Sequence, residues 1–498
     1  MTKVAAVIRA DNAAEAERQS RMALEKGADL VELRLDYVRD LGLSTIRKLA
    51  NGVGRRAIAT FRSRGQGGAS GVDPPQRTTV LREICHSRFA YVDLELETDR
   101  EDLGSLGRLA SGHRTTVIVS HHFAQAAEAH RVSEALDSCS AVGEIAKVAV
   151  PVTEFEEAVQ LVDLVRSRTG RPHRFVLIAM GAAGIVTRAL ANSLGQEIQY
   201  ASWGLSAAPG QLSLGTATRL RGREPMILGL IGHPVEHSIS STMHEAALAA
   251  LGLPAAYLPF DIPPESLDQF FLAADRLRIR GFNVTSPYKE AVARSMDELD
   301  GDAERLGVVN TVVLRDGWTA GHNTDVYGFR ISLRSLGLRL GDRNALVVGA
   351  GGAAKAVVDV LLREGAHVQL TNRTATRAEA LAKSFDDRIE VVPLGVLTRK
   401  GPWDLLVNAT LAGTKGLPDG LPDGLPVPEA VIGKAGFIYD LVYNPPVTPL
   451  LRTAKRLNRP GASGLEMLLH QGAKAFELWT GHAAPFDAMQ RAAKEALR

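Results

Sequence analysis

One lysine stands where lysine is costly. Lys147 interrupts EIAKVAV, a run from Glu144 to Val150 whose other residues after the first are apolar, and a run of that length and composition reads as a buried strand. Burial disfavours the ammonium form and lowers a lysine's pKa, which suits a nucleophile that forms a Schiff base with a carbonyl. The alternative is a lysine that runs past covering helices with its head in water. His122 closes another such run, TTVIVSHH, and is a candidate proton carrier near neutral pH. Adjacent strand residues face opposite ways, so His121 reads as a packing neighbour. Glu32 and Arg34 stand near the end of LVELRLD, and Arg62 ends AIATFR.

A second constellation begins at LVVGAGGAAKAV. Leu346 to Val348 reads as a buried strand, Gly349, Ala350, Gly351 and Gly352 as a turn, and Ala353 to Leu362 as a helix. Such a turn lets the backbone approach a pyrophosphate at the helix N-terminus, where free N–H groups and the dipole favour an anion. The next strand, His367 to Leu370, ends without the carboxylate that would bind a ribose 2′-hydroxyl. Asn372, Arg373, Thr374 and Arg377 follow instead, and arginines match a 2′-phosphate. A solvated helix cap would also explain NRTxxR; the strand context favours an NADP site. Elsewhere Ser238 and Ser240 precede a helix and could be simple caps. Asn283, Thr285 and Lys289 follow a buried run, and Asn310, Asn323, Thr324 and Asp325 follow others. Lys289 and Asp325 would make a proton-transfer pair if brought together; each alone could be a surface charge.

These residues need a scaffold. Eight short apolar runs begin at Val4, Leu30, Ala57, Tyr91, Thr115, Glu144, Arg174 and Ile198, separated by amphipathic segments such as Ala13 to Lys26 and Thr153 to Arg168. That pattern predicts a (β/α)8 TIM barrel with its chemistry at the C-terminal strand ends. The pattern breaks at RGREP, Arg221 to Pro225. Beyond it, strands are expected at Leu228–Ile231, Tyr257–Phe260, Gly281–Thr285 and Val308–Leu314. A nucleotide domain with later strands at Glu390–Val392, Leu405–Asn408 and Phe437–Leu441 should follow, then helices at Gly464–Trp479 and from Asp487. The expected fold class is α/β: a barrel over 1–222, a second α/β domain over 225–335 completed by C-terminal helices 464–498, and a Rossmann NADP-binding domain over 336–463.

The bulk figures agree with a metabolic enzyme. A chain of 498 residues holds two or three domains, and a net charge of +2 gives no reason to expect nucleic acid or an anionic membrane as partner. Cys85 and Cys139 lack metal-ligand spacing and fit buried apolar positions in a reducing compartment; no metal is expected. MTKVAAVIRA runs straight into a strand, and no apolar stretch reaches membrane-spanning length, so a cytoplasmic location is expected.

VELRLD, TFR, SHH, EIAKVAV and SAAPGQ resemble the class I 3-dehydroquinate dehydratases over about residues 3 to 215. The resemblance implies that Lys147 forms an imine with the substrate ketone and that His122 shuttles the proton taken from the adjacent carbon. Glu32, Arg34, Arg62, Arg188 and Gln211 would hold the carboxylate and hydroxyls. Three positions depart from the family: Gln66 replaces a glutamate before a Gly-Gly pair, Ala207 (beside Ser206) replaces a serine, and Val7 stands where relatives can carry a serine. Gln66 matters most, because an amide cannot raise the basicity of His122 as a carboxylate would.

GHPVEHSIS, NVTSPYK, VVNT, NTD, GAGGAA, NRT, NAT, YNPPVTPLL and GLEMLLHQGAKAFELWTG resemble the shikimate dehydrogenases, in order, across 226–482. That implies a substrate carboxylate on Ser238 and Ser240, and ring hydroxyls on Thr285, Asn310 and Gln471 with Tyr443 nearby. Lys289 and Asp325 would protonate the carbonyl oxygen as hydride arrives from NADPH, with Leu441 and Gly464 along the nicotinamide side. Ser241, where relatives have proline, should matter little. Met467, Leu468, Phe476 and Leu478 have helical spacing and read as core.

The two resemblances imply successive steps of aromatic biosynthesis: the first half would make 3-dehydroshikimate and the second would reduce it to shikimate. The partners implied are small-molecule substrates, and no oligomeric state is assigned. Two rivals stand. The second half could oxidise quinate with NAD, although Arg373 and Arg377 favour NADP. The barrel could be a silent scaffold, an idea supported by Gln66 and Ala207.

Overall fold

Each of the eight apolar runs in the first two hundred residues becomes a parallel strand: β1 (Lys3–Ile8), β2 (Leu30–Arg34), β3 (Ala57–Thr60), β4 (Tyr91–Glu95), β5 (Thr116–His122), β6 (Ile145–Pro151), β7 (Arg174–Met180) and β8 (Ile198–Ser202). They are hydrogen-bonded in the order β7-β6-β5-β4-β3-β2-β1-β8. The barrel is closed between β7 and β8 by Glu197 N–H to Phe175 O (2.9 Å) and Leu177 N–H to the Gln196 side-chain oxygen (3.0 Å). This computed structural model describes all residues except 169–173, 205–209, 236–237, 387, 417–419 and 422. Ala207 and Ser206 therefore lie outside the described residues.

Side chains alternate across a strand, so one inward residue fixes the next two along. A buried apolar cluster draws on all eight strands through Ala5, Leu30, Ile58, Tyr91, Ile118, Ile145, Val176 and Ile198. Two residues further along each strand stand Val7, Glu32, Thr60, Asp93, Ser120, Lys147, Ile178 and Tyr200. The barrel therefore carries a charged layer on top of an apolar one. Helices cover the outside, starting at ordinary caps: Asn12 accepts from Glu15 N–H at the start of Ala13–Glu25, and Glu154 with Glu157 form a capping box at Phe155–Ser167.

The chain divides into two units, Met1–Gly229 with Gly252–Ile279, and Leu230–Leu251 with Arg280–Arg498. Residues 252–279 go with the barrel through an aromatic cluster in which Phe155 meets Phe260 and Phe270 edge-on, with centroids 5.9 and 5.0 Å apart. After β9 (Met226–Gly232) and β10 (Ala255–Asp261) come β11 (Ile279–Val284), β12 (Glu298–Leu299), β13 (Thr311–Arg315) and β14 (Trp318–His322). The last four lie side by side as β11-β13-β14-β12, with β13 and β14 forming an antiparallel hairpin. Neither β12 nor β14 was expected from the sequence.

In the second unit a parallel sheet follows: β15 (Asn344–Val348), β16 (His367–Thr371), β17 (Ile389–Val391), β18 (Trp403–Asn408), β19 (Ala435–Asp440) and β20 (Gly461–Ser463), in the order β17-β16-β15-β18-β19-β20. The order reverses between β15 and β18, which opens a crevice at their carboxyl ends, where such sheets bind nucleotides. Gly349 leaves β15 at φ +113°, and a Cβ there would stand 2.9 Å from Ala409 O. Helix Leu465–Thr480 packs on helix Thr324–Ser335 so closely that a Cβ on Gly328 would meet Met467 O at 2.7 Å. That approach carries Gln471 into the substrate cavity described below.

Candidate active sites

The mouth of the barrel holds a cavity of about 310 Å³ lined by Val7, Glu32, Arg34, Arg62, Gln66, His122, Lys147, Arg188, Tyr200 and Gln211 among others. Every barrel residue singled out for chemistry faces this one space. Lys147 points inward and is 3% exposed. Its Nζ lies 2.9 Å from Asp93 Oδ2 and 3.3 Å from Glu32 Oε1, and 4.2 Å from the centre of the Tyr200 ring. The expectation of a lowered lysine pKa is corrected here. Burial does work against the ammonium, but Asp93 and Glu32 outweigh it and hold the lysine above its usual value.

Asp93, which sequence reasoning passed over, is the hub of this layer. Besides Lys147 it accepts from Arg62 (2.9 Å) and from Ser120 Oγ (2.6 Å). Burial alone would favour its neutral form; Arg62 and Lys147 keep it well below the usual carboxylate range. Arg62 also reaches Glu95 at 3.2 Å, and Arg77 reaches Glu95 and Asp99. Charges of alternating sign thus run from the lysine outward. The signal was present in YVDLEL, whose two carboxylates sit two apart in a strand without a polar face.

His122 Nδ1 lies 3.0 Å from Gln66 Oε1. An amide oxygen only accepts, so Nδ1 carries the proton and Nε2 is left as the basic nitrogen. Burial, then Arg62 and Lys147, push the His122 pKa well below its usual value, so the ring is neutral near pH 7. His121 turns away, 3.5 Å from Glu97 and edge-on to Phe123. Arg34 is clamped by both oxygens of Asp36 (2.9 and 2.7 Å). Arg188 differs: it is buried, and among the described residues its Nε has no partner and no acid faces it. Burial lowers its pKa to about 10. A buried guanidinium lacking an acid is a ready seat for a carboxylate ligand. Cys85 and Cys139 are buried free thiols, raised to about 12 by burial.

In the second unit a cavity of about 180 Å³ gathers Ser238, Ser240, Asn283, Thr285, Lys289, Asn310, Asp325, Leu441, Tyr443, Gly464 and Gln471. Lys289 Nζ is 2.5 Å from Asp325 Oδ2, so the expected pair is assembled from residues 36 apart in sequence. Asn310 Nδ2 is 2.8 Å from Asp325 Oδ1 and its Oδ1 accepts from Thr324 N–H at 2.7 Å, which fixes the amide's orientation. Ser238 Oγ accepts from Ser240 N–H (3.2 Å), and helix Ser240–Ala250 has no side-chain cap of its own. Tyr443 is half-buried beside Ser238, and desolvation raises its pKa. Met467 and Leu468, expected as core, line this cavity as well.

A cleft of about 670 Å³ opens where β15 meets helix Gly352–Arg363. It is lined by Ala350, Gly351, Gly352, Ala353, Lys355, Arg377 and Thr410, and by Lys289 from the substrate side. A Cβ on Gly351 would stand in open space, so the backbone is accessible to a ligand. Free N–H groups at the start of a twelve-residue helix, with Lys355 and Arg377, suit the phosphates of a dinucleotide. Asn372, Arg373 and Thr374 lie on the turn after β16, Arg373 and Thr374 exposed, with Asn372 Nδ2 donating to Thr374 O at 2.9 Å. Only Arg377 of that group reaches the cleft wall itself.

Known proteins match this chain in two successive stretches. Residues 4–221 match the profile of type I 3-dehydroquinase. Residues 230–312 match the shikimate dehydrogenase substrate binding domain, 331–417 the shikimate/quinate 5-dehydrogenase profile, and 464–494 the shikimate 5′-dehydrogenase C-terminal domain. The shikimate dehydrogenase (NADP(+)) of Archaeoglobus fulgidus is 42% identical over 276 residues, covering 55% of this chain and 99% of that protein. That of Methanopyrus kandleri is 44% identical over 284 residues, covering 55% and 97%. A shikimate dehydrogenase solved in complex with NADP+ aligns at 38% identity over 55% of this chain and 96% of its own, with a TM-score of 0.51.

Proposed function

Since the chain belongs to the shikimate dehydrogenase family and carries a type I 3-dehydroquinase barrel ahead of it, we propose that it performs two consecutive reactions on one carbocycle. The barrel dehydrates 3-dehydroquinate to 3-dehydroshikimate through Lys147. The second unit reduces that ketone to shikimate with NADPH, using Lys289 and Asp325.

In the barrel, Lys147 first gives up a proton, for which Asp93 and Glu32 are the acceptors in reach. Its Nζ adds to the ketone carbon, and the former ketone oxygen leaves as water to give an iminium. The positive charge acidifies the neighbouring C–H, and neutral His122 takes that proton at Nε2. His122 passes that proton to the hydroxyl one carbon further, which leaves as water as the conjugated double bond forms. A second water then hydrolyses the imine and frees the lysine. Iminium and ammonium carry the same charge, so the surrounding acids stabilise both resting and working states. Arg188 pairs with the substrate carboxylate.

In the second unit NADPH supplies the hydride. Lys289 donates a proton to the carbonyl oxygen as charge develops there, and Asp325, oriented by Asn310, holds the ammonium in place. Ser238, Ser240 and Tyr443 offer hydroxyls to the carboxylate, and the Thr285 hydroxyl and the Gln471 amide meet the ring hydroxyls. The helix N-terminus, Lys355 and Arg377 hold the cofactor's phosphates. Arg377 with the exposed Arg373 favours a 2′-phosphate over a bare ribose, which supports NADP over NAD.

The observation that carries the barrel reading is that Lys147 and neutral His122 share one cavity with an acid-free arginine. The test is to supply 3-dehydroquinate without nicotinamide and follow the ultraviolet absorbance of the conjugated enone. NADPH is added afterwards and its oxidation followed. Enone formation abolished by Lys147→Ala, with 3-dehydroshikimate reduction intact, is the expected result. Wild-type protein that makes no enone while oxidising NADPH on supplied 3-dehydroshikimate would leave the barrel a scaffold.

A further inference from the structure

Tyr200 carries a feature that neither half-reaction uses. It stands on β8 in the same layer as Lys147, lines the barrel cavity, and is 5% exposed. Its hydroxyl is buried beside the Lys147 ammonium and makes no hydrogen bond of ordinary length among the described residues. Its ring centre is 4.2 Å from Lys147 Nζ. The ammonium has three N–H groups; Asp93 and Glu32 take two. The aromatic face stands against what remains.

We propose that Tyr200 is a positioning residue for the barrel's nucleophile: its ring face holds the lysine nitrogen as a cation against Asp93 and Glu32, in the ammonium and in the iminium alike. The inference rests on the imine reading above and extends it. A ring face attracts a cation electrostatically and most strongly when both are desolvated. The iminium keeps its positive charge but has fewer N–H groups than the ammonium, so it depends more on neighbours that need no donor. A quadrupolar face is such a neighbour; a carboxylate hydrogen bond is not. The titratable groups around Nζ come from the packed strands: Glu32 on β2, Arg62 after β3, Asp93 on β4, His122 on β5 and Tyr200 on β8. Tyr200 is the one among them whose ring face stands against the nitrogen.

The experiment compares Tyr200→Leu, which removes the ring, with Tyr200→Phe, which keeps it. Full-length protein is mixed with 3-dehydroquinate and borohydride across pH 5 to 10, and the reduced lysine adduct is quantified by intact mass. NADPH oxidation on 3-dehydroshikimate by the same protein preparations, without borohydride, reports that the chain is folded. Tyr200→Leu is expected to lower the dehydratase kcat by about 2- to 30-fold. It should also move the pH dependence of trapping about 0.5 to 1.5 units toward acid, the range spanned by a desolvated cation–π contact. Tyr200→Phe should trap and turn over close to wild type. Wild-type kinetics and pH profile in Tyr200→Leu would overturn the inference. So would a Tyr200→Phe variant as impaired as Tyr200→Leu, which would assign the effect to the hydroxyl. Wild-type protein that forms enone but no trapped adduct would overturn the imine reading itself, and with it the role given to Tyr200.

Discussion

Replacing Gln66 by glutamate tests the proton-transfer half of the barrel directly. Gln66 Oε1 is 3.0 Å from His122 Nδ1 and half-buried at the cavity rim. A carboxylate there would face an imidazolium at contact distance. Coulomb's law at an effective dielectric near 20 sets a ceiling of about 5 to 6 kcal/mol for unit charges at that separation. Partial exposure screens it, and opposite charges at such distances move pKa values by about 1 to 3 units, or about 1.4 to 4 kcal/mol. In the native chain burial, Arg62 and Lys147 hold the His122 pKa well below its usual value. The sign follows. An imidazolium cannot take a proton, so activity fails below the folded-state pKa, and raising that pKa carries the acid limb to higher pH. Gln66→Glu should therefore shift the acid limb of the dehydratase kcat/KM profile upward by about 1 to 3 units, read from enone absorbance between pH 4 and 9. NADPH oxidation on 3-dehydroshikimate is the control. The same change should soften the acid loss of barrel stability. That loss sets in below about pH 6.5, where the unfolded chain takes up a proton the native His122 refuses. An acid limb left in place, or moved to lower pH, would mean that His122 is not the base.

Three further outcomes are expected. Arg188→Leu should raise the KM for 3-dehydroquinate about 100-fold. Thermal unfolding should meanwhile show a barrel no less stable than before, because a lowering from 12.5 to about 10 corresponds to a burial penalty of about 3 kcal/mol. Asp325→Asn should cut the dehydrogenase kcat by about 10²- to 10⁴-fold while the enone assay on 3-dehydroquinate stays unchanged. Arg377→Glu should raise the KM for NADPH by about 10- to 100-fold and raise that for NADH by a smaller factor, measured with both cofactors at saturating 3-dehydroshikimate.

Much of this architecture is legible because buried parallel strands are short apolar runs, and a charge inside such a run has to face inward or be wasted. Lys147 is the example. The direction of its pKa was misread for a reason that sequence hides: the carboxylates that decide it belong to β2 and β4, 115 and 54 residues away. Distance in the chain says nothing about which strands a barrel makes neighbours. The β13–β14 hairpin could have been found. Thr311–Arg315 and Trp318–His322 are joined by Asp316 and Gly317, an Asp-Gly pair that marks tight hairpins. The three-residue β20 and two-residue β12 are too short for any periodicity to register. Met467 reads as core from helical spacing and does join the core while also lining the cavity; Leu468, read the same way, lines the cavity half-buried, a difference that spacing cannot register.

The closure between β7 and β8 carries a last consequence. Each of these strands has a full hydrogen-bonded ladder on one side only, β7 with β6 and β8 with β1. Among the described residues the join carries one backbone bond, one borrowed from the Gln196 side chain and an ion pair between Arg174 and Glu197. Sub-global opening starts where the fewest bonds must break together. The cylinder is thus built with a rip line, and deuterium should enter the amides beside it before those of β2 to β5. The strand holding Tyr200 and the strand leading into Arg188 flank that line. Two of the groups lining the barrel cavity are therefore mounted on the part of the wall best able to breathe.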